Sequence, residues 1–492
     1  MSRSAYALYF LANLAPRALM FLLLLVLTRL MPMAEYGLFV LVVTTGEIFD
    51  MALCNWVRIF ALRSEGASAT MRPHRLGRLL ALTVVTTTLA FVLAAASGLM
   101  RQEQALAFAV ATAAMILAFA PLRLSLMLLQ VQRKHSAYAA VEALRAGGTF
   151  GATALAMLLL EPTFLNAALA LSAATAVAGL VGIWQALGRA SRPRRARAGY
   201  GAALAFGLPI MVAQILVYAL GYFDRYIVDF LLGPHAVAVL AAAYSLGRQP
   251  IELFIGPLNN YAFPHLVKIY EQEGPEAAGT AQAGLLATLI TVGSAIVMGL
   301  ILLKEPLLTI ALPADYHEEA ALLLPWIAFG SLALFVKFFI FDNGFHLAKR
   351  TWLQPVAMLP PAILSFVACF VLIPRVGIVG AGISFAVGST IAALSTALVT
   401  SRILPVRLPW GMLARIALAN ASASLALYTV RGYVEPAGAV VELVVSTLAF
   451  IAVYAAALSL IGVSIRRTIE TPWAAVAPPA HRPVLEPALQ KP

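Results

Sequence analysis

From end to end the chain alternates apolar runs with short polar links. Runs of about 20 residues are what a bilayer-spanning helix requires. They fall near 8–31, 36–62, 79–99, 105–129, 138–160, 164–188, 202–223, 236–262, 280–303, 320–345, 354–373, 379–401, 411–430 and 438–462. An outer-membrane barrel would show alternating segments of about 10 residues instead, with a weak signal in each, and none is seen. The pattern predicts an all-α, polytopic integral membrane protein with about 14 transmembrane helices. The first run passes through Pro16 and Arg17 to Met31 without a small-residue cleavage site, so it reads as a retained helix rather than a removed leader.

Composition agrees with this reading. Of 492 residues, 62% are hydrophobic and 11% charged, and the mean hydropathy is +0.89. A soluble domain has about 25% charged residues. The net charge is +12, and its basic residues gather in alternate links. Arg72, Arg75 and Arg78 follow the second run, Arg192, Arg194, Arg195 and Arg197 the sixth, and Arg466 and Arg467 the last. Basic loops stay on the cytoplasmic side, which puts both termini there. Short, dispersed basic links with no soluble domain behind them argue against nucleic acid. Two cysteines, Cys54 and Cys369, both lie in apolar runs, so neither a disulfide framework nor a metal site is expected. Nor is a cofactor expected.

The Arg-rich link at 189–199 divides the chain after six runs. The second half repeats the first weakly but in order. Pro16 corresponds to Pro209, LMPMAEYG at 30–37 to LLGPHAVA at 231–238, and Glu65-Gly66 to Glu273-Gly274. Both copies start on the same side, which makes the repeats parallel. The expected organisation is an N-terminal lobe at 1–199, a C-terminal lobe at 200–402, two additional helices at 403–465, and a Pro-rich tail at 466–492 that is expected to be disordered.

Polar residues inside the apolar runs carry the functional information, because charges within a bilayer are costly and commonly face a bundle interior or a wet cavity. Glu142 with Arg145, and Arg248 with Glu252, are spaced to pair along one helix face. Arg123, Lys337 and Arg415 read as single cations whose long stems can snorkel. Arg225 and Asp229 lie near a predicted membrane surface, and Asp342 and Asn343 near a span end. Arg17, Arg58 and Arg248 are deeper and recur in the first two helices of each half. Guanidinium groups in a wet cavity suit a phosphate or pyrophosphate, since they offer planar, bidentate donors and stay charged. These three are the candidate substrate-binding residues. Glu47 and Asp50 sit three residues apart, and two close carboxylates can carry a proton or hold a cation. With Glu252 they are the candidate ion-coupling residues, although charge balance for Arg58 would explain the first two equally. No P-loop, HExxH or GxSxG motif is present.

The segments TRLMPMAEYGLFVLVVTTGEIFD, FDRYIVDFLLGPHAVAVLAAAYSLGRQPIELFIGPL and LIPRVGIVGAGISFAVGS resemble the polysaccharide-transport branch of the multidrug/oligosaccharidyl-lipid/polysaccharide flippase superfamily. The resemblance covers about residues 8–402, and Val239-Leu240 departs from the Gly-Leu-Tyr usual before the AAYSLG run. It implies two pseudo-symmetric six-helix lobes around a central cavity, with two C-terminal helices added. It implies a transporter, not an enzyme, that flips undecaprenyl-diphosphate-linked oligosaccharide repeat units across a bacterial inner membrane for cell-surface polysaccharide synthesis. A proton or sodium gradient would drive it by alternating access. Partners would be the lipid-linked glycan, membrane lipid, and polymerase or glycosyltransferases of the same pathway. In related flippases, cavity arginines occur on helices one, two and eight, where Arg17, Arg58 and Arg248 fall here.

Two alternatives remain at this level. A cation-coupled drug antiporter of the same superfamily would favour twelve spans and an apolar cavity with one acidic cluster. A polytopic glycan polymerase or glycosyltransferase would typically carry a large extracytoplasmic segment, and the longest such link here, at about 304–319, is short.

Overall fold

The computed structural model describes residues 18–65, 73–101, 103–132, 134–187, 200–350, 352–434 and 438–463. Arg17, the Arg-rich link and the Pro-rich tail lie outside them. All regular secondary structure among the described residues is helical. In lipid no water is available to satisfy backbone polar groups, so each spanning segment must close its own hydrogen bonds.

Every predicted run falls on a helix where its residues are described; 8–17 of the first run lie outside them. We number them α1 Ala18–Leu30; α2 Met33–Phe49, continuing through Asp50–Cys54 to Asn55–Glu65; α3 Pro73–Leu99, α4 Ala105–Val131, α5 His135–Leu159, α6 Phe164–Leu187, α7 Tyr200–Leu232 and α8 Pro234–Glu273; α9 Pro275–Leu302, α10 His317–Val336 continuing through Lys337–Phe341 to Asp342–Leu347, α11 Leu353–Val376, α12 Val379–Ser401, α13 Trp410–Val434 and α14 Ala439–Leu460. A short helix, Lys304–Ala311, follows α9. Among the described residues, ten helices are long and apolar enough to cross a membrane by length and composition alone. Large apolar side chains such as Val84, Val85, Leu158, Leu398 and Leu460 are exposed, as expected where the surrounding solvent is hydrocarbon.

Glycine and proline punctuate the chain. Gly233 and Gly274 have φ of 84° and 90°, the left-handed region that glycine enters without steric cost. Pro234 and Pro275 then open α8 and α9, where a missing N–H loses no helical bond. Two π-helical turns interrupt otherwise regular helices, Asp50–Cys54 in α2 and Lys337–Phe341 in α10. A π-turn shifts the helical register by one residue and is frequent at functional sites.

The chain forms two compact units. Unit 1 comprises Met1–Ser245, Ala311–Ala320 and Phe366–Ala381; unit 2 comprises Leu246–Ile310, Ala321–Ser365 and Gly382–Pro492. In unit 1, Trp56, Leu79, Leu122, Leu126, Val141 and Ala203 form a buried core. Gly179 of α6 lies against the backbone of Pro121 and Leu122 in α4, where a Cβ would clash; small residues permit such close packing where hydrophobicity cannot drive it. Gly37 near the start of α2 similarly faces the Pro234 carbonyl at the start of α8. Those two helix starts are the LMPMAEYG and LLGPHAVA segments paired by the sequence repeat. In unit 2, Ile251, Ile255, Leu285, Leu289, Phe335 and Ile340 form the core. Helices α13 and α14 add a second cluster around Ile416, Leu427 and Phe450. They are tied to α9 by a bond from the Tyr454 hydroxyl to the Thr291 carbonyl, 2.8 Å, and from the Asn420 amide to Ser294 Oγ, 2.9 Å.

Candidate functional site

Unit 1 holds charges on α2, α3, α4, α5 and α7. Asp50 opens the π-turn of α2 and is 4% exposed. Its Oδ2 accepts a bond from Arg123 Nε of α4 at 2.9 Å, and the same guanidinium lies 5.4 Å from the Phe119 ring centroid. Arg123 is therefore not a lone snorkelling cation, and Asp50 is paired across helices rather than with Arg58. Glu47, one turn earlier, is half-buried and within electrostatic range of Arg123, Arg225 and Arg145. Arg58 is half-buried on α2 and forms no ion pair among the described residues. Arg145 is bound to Glu142 at 2.8 Å, the pairing their spacing predicts.

Arg225 and Asp229 are more than surface charges. Arg225 stacks on two tyrosines, 4.7 Å from the Tyr222 centroid and 5.3 Å from that of Tyr244. Its Nε is buried without a hydrogen-bond acceptor among the described residues. The neighbouring Asp224 is buried, receives the Tyr244 hydroxyl, and accepts the Arg225 backbone N–H at 2.8 Å. Asp229 receives Arg101 Nη1 at 2.7 Å. Beside these groups an apolar cavity of about 380 Å³ opens, with Phe49, Phe223, Tyr226, Phe230 and Phe366 among its walls. Its wall residues Thr45 and Tyr226 share a hydroxyl–hydroxyl hydrogen bond of 2.8 Å.

Unit 2 carries the other candidates. Arg248 Nε lies 3.8 Å from Glu252 Oε2, with the two side chains 26% and 38% exposed. Arg248 also stands over the Phe335 ring at 5.6 Å. This is a loose, partly solvated pair. Lys337 and Asp342, in contrast, form a 2.7 Å ion pair with side chains only 1% and 3% exposed. Asp342 and Asn343 do not end a span: they lie inside α10, next to its π-turn. Carbonyls of that turn accept side-chain bonds from three helices. Gln282 Nε2 of α9 donates to Phe339 and Ile340, Asn343 Nδ2 of α10 to Phe339, and Thr400 Oγ1 of α12 to Phe341. Arg415 is exposed on α13.

Among the described residues no group of three or more metal-ligating side chains is gathered, and Cys54 and Cys369 are not disulfide-bonded. Of the six site residues chosen from sequence, five lie within the described residues: Glu47, Asp50 and Arg58 in unit 1, Arg248 and Glu252 in unit 2. Sequence reasoning passed over Arg101 and read Arg225 as a charge near a membrane surface. Tyr222, three residues before Arg225, is the available signal, because aromatic faces hold a guanidinium in low dielectric.

The profile of a family described as polysaccharide biosynthesis protein matches residues 26–321. A comparison with curated protein sequences finds no match. Among solved structures, the chain is similar to the lipid II flippase MurJ in its inward closed conformation, with TM-score 0.69, 12% identity, and 92% of this chain and 98% of that one covered. It is also similar to a MATE-family multidrug resistance transporter of the MOP superfamily in an inward-facing conformation, with TM-score 0.57, 14% identity, and 80% and 93% covered. A MOP superfamily transporter from Pyrococcus furiosus gives TM-score 0.54, 16% identity, and 81% and 92% covered. At such identities the structures speak for the fold alone, a multi-pass, all-helical membrane-protein fold like that of these three. The fourteen helices, the charges held within them, and a family profile spanning more than half the sequence converge, and the chain belongs to the polysaccharide biosynthesis protein family.

Proposed function

We propose that this protein flips undecaprenyl-diphosphate-linked oligosaccharide repeat units from the cytoplasmic to the periplasmic leaflet of a bacterial inner membrane. The observation that carries the reading is the set of guanidinium groups held within apolar helices of a polysaccharide-biosynthesis family member. A pyrophosphate cannot cross hydrocarbon unaided, and arginine offers it bidentate, charge-assisted bonds. Arg58 and Arg248 are loosely paired or unpaired among the described residues, and with Arg17 they form the proposed substrate-binding set. The apolar cavity beside Tyr226 can accept a length of prenyl tail while the headgroup stays among charges. Glu47, Asp50 and Glu252 are the proposed ion-coupling acids, with a proton or sodium gradient driving alternating access. So many arginines disfavour a cationic drug as substrate.

In a cell lacking this protein, repeat units are built but stay on the cytoplasmic leaflet, and surface polymer is lost. Leaflet-selective labelling of the lipid-linked glycan reads this. Unpolymerised units accumulating on the periplasmic leaflet would replace the flippase reading with a polymerase.

A further inference from the structure

Unit 1 arranges its arginines in a file along the direction of the helices. Helices α2 and α7 run antiparallel: Thr45 meets Tyr226, and farther along α2, Trp56 meets Gly207 of α7. Arg225 adjoins Tyr226 and so sits near the level of Thr45. Asp50, holding Arg123, lies about 7.5 Å along α2 at 1.5 Å per residue, and Arg58 lies about 12 Å beyond it. In the opposite direction, Asp229, holding Arg101, is one turn or about 6 Å from Arg225. Four guanidinium levels thus cover about 25 Å, against a hydrocarbon thickness of about 30 Å. They share surroundings: Glu47 senses Arg123 and Arg225, Asp50 senses Arg123 and Arg58, and Tyr226 senses Arg225 and Arg101.

The levels differ in occupancy. Arg101 and Arg123 each already hold a carboxylate, from Asp229 and Asp50. Arg225 has aromatic faces but no carboxylate within ion-pair distance among the described residues, and its buried Nε lacks an acceptor. A buried N–H donor left unpaired is costly, and a phosphate oxygen would satisfy it. Next to it, the apolar cavity begins at Tyr226.

We propose that unit 1 conducts the anionic headgroup of a lipid-linked substrate along Arg58, Arg123, Arg225 and Arg101, with Arg225 as the open station and Asp50 and Asp229 as exchangeable place-holders. This rests on the flippase reading above. A carboxylate that occupies an arginine between visits keeps that cation compensated and weakens its grip on the phosphate, so the headgroup can move on. A file of uncompensated arginines would bind tightly and release slowly.

The test uses the full chain in lipid nanodiscs with a short-chain polyprenyl diphosphate as probe, alongside the matching prenyl alcohol and inorganic pyrophosphate. Wild-type protein should bind the diphosphate far better than the alcohol. Arg225→Gln should weaken binding about tenfold or more, and Arg225→Lys, which keeps charge without the planar fork, should be intermediate. Asp50→Asn frees Arg123 and should tighten binding several-fold while slowing flipping, even though it lowers thermal stability; a merely structural Asp50 would weaken both. Equal binding by Arg225→Gln and wild type, or weaker binding by Asp50→Asn, overturns the file alone. Inorganic pyrophosphate binding as tightly as the prenyl diphosphate would assign the file to a soluble anion and overturn the lipid-linked headgroup. Wild-type protein that binds no diphosphate overturns the file together with the reading beneath it, whereas intact cytoplasmic-leaflet accumulation in the deletion strain would locate the failure in the file.

Discussion

Lys337→Met should be the most damaging single substitution in unit 2. It keeps the aliphatic stem but strips the cation from Asp342, whose side chain is 3% exposed. Removing one partner of a buried ion pair typically costs about 3–5 kcal/mol, because the other charge stays buried and uncompensated. The second oxygen of Asp342 already lacks a hydrogen-bond partner among the described residues, and the first would lose the bond that the ammonium donates. The carbonyl caps from Gln282 and Thr400 leave the π-turn little freedom to rearrange. Membrane abundance and the thermal midpoint of the solubilised protein should both fall. Lys337→Met combined with Asp342→Leu removes both charges, and apolar replacement of a buried pair is often neutral; it should recover most of the loss. A single variant with unchanged midpoint would show that the pair is not a folding element.

The second large effect concerns transport rather than folding. Arg248→Ala should reduce flipping about tenfold or more at subsaturating substrate, since a hydrogen bond to a charged group is worth about 1.5–3 kcal/mol. Its pairing with Glu252 at 3.8 Å is long and half-solvated, so the stability change should be small. Arg248→Lys should be intermediate because it loses the fork. The double variant Arg248→Ala with Glu252→Ala separates two roles. If Arg248 only neutralises Glu252, the double variant flips normally at matched abundance, and Arg248 leaves the binding set. If Arg248 binds the diphosphate, the double variant stays as slow as the single one.

These residues also show what could be read before the fold was seen. The fourteen helices were legible because lipid forces each spanning segment to be a long, self-satisfied, apolar helix. Pairs within one helix were legible where α-helical geometry holds, as for Glu142 with Arg145. Lys337 and Asp342 were not, because residues five apart point away from each other in an α-helix. The π-turn changes that: the Asp342 N–H bonds to the Lys337 carbonyl, and the extra residue brings the two side chains into line. No apolar periodicity announces such a turn. Asp50 with Arg123 and Asp229 with Arg101 join segments far apart in the sequence, and hydropathy carries no information about which faces meet. Arg225 looked like an ordinary charge near a span end. Only the placement of Tyr244 on the next helix shows that it is held between aromatic rings.

Reconstitution gives the most direct test of the central claim. Purified full-length protein is placed in liposomes carrying a fluorescent polyprenyl-diphosphate-linked oligosaccharide in both leaflets, and a membrane-impermeant quencher reports the fraction reaching the outer one. With an imposed proton or sodium gradient, flipping should accelerate well beyond protein-free liposomes and fall with Arg248→Ala. Flipping no faster than in protein-free liposomes, under either gradient and with the protein shown to be folded, would contradict the account.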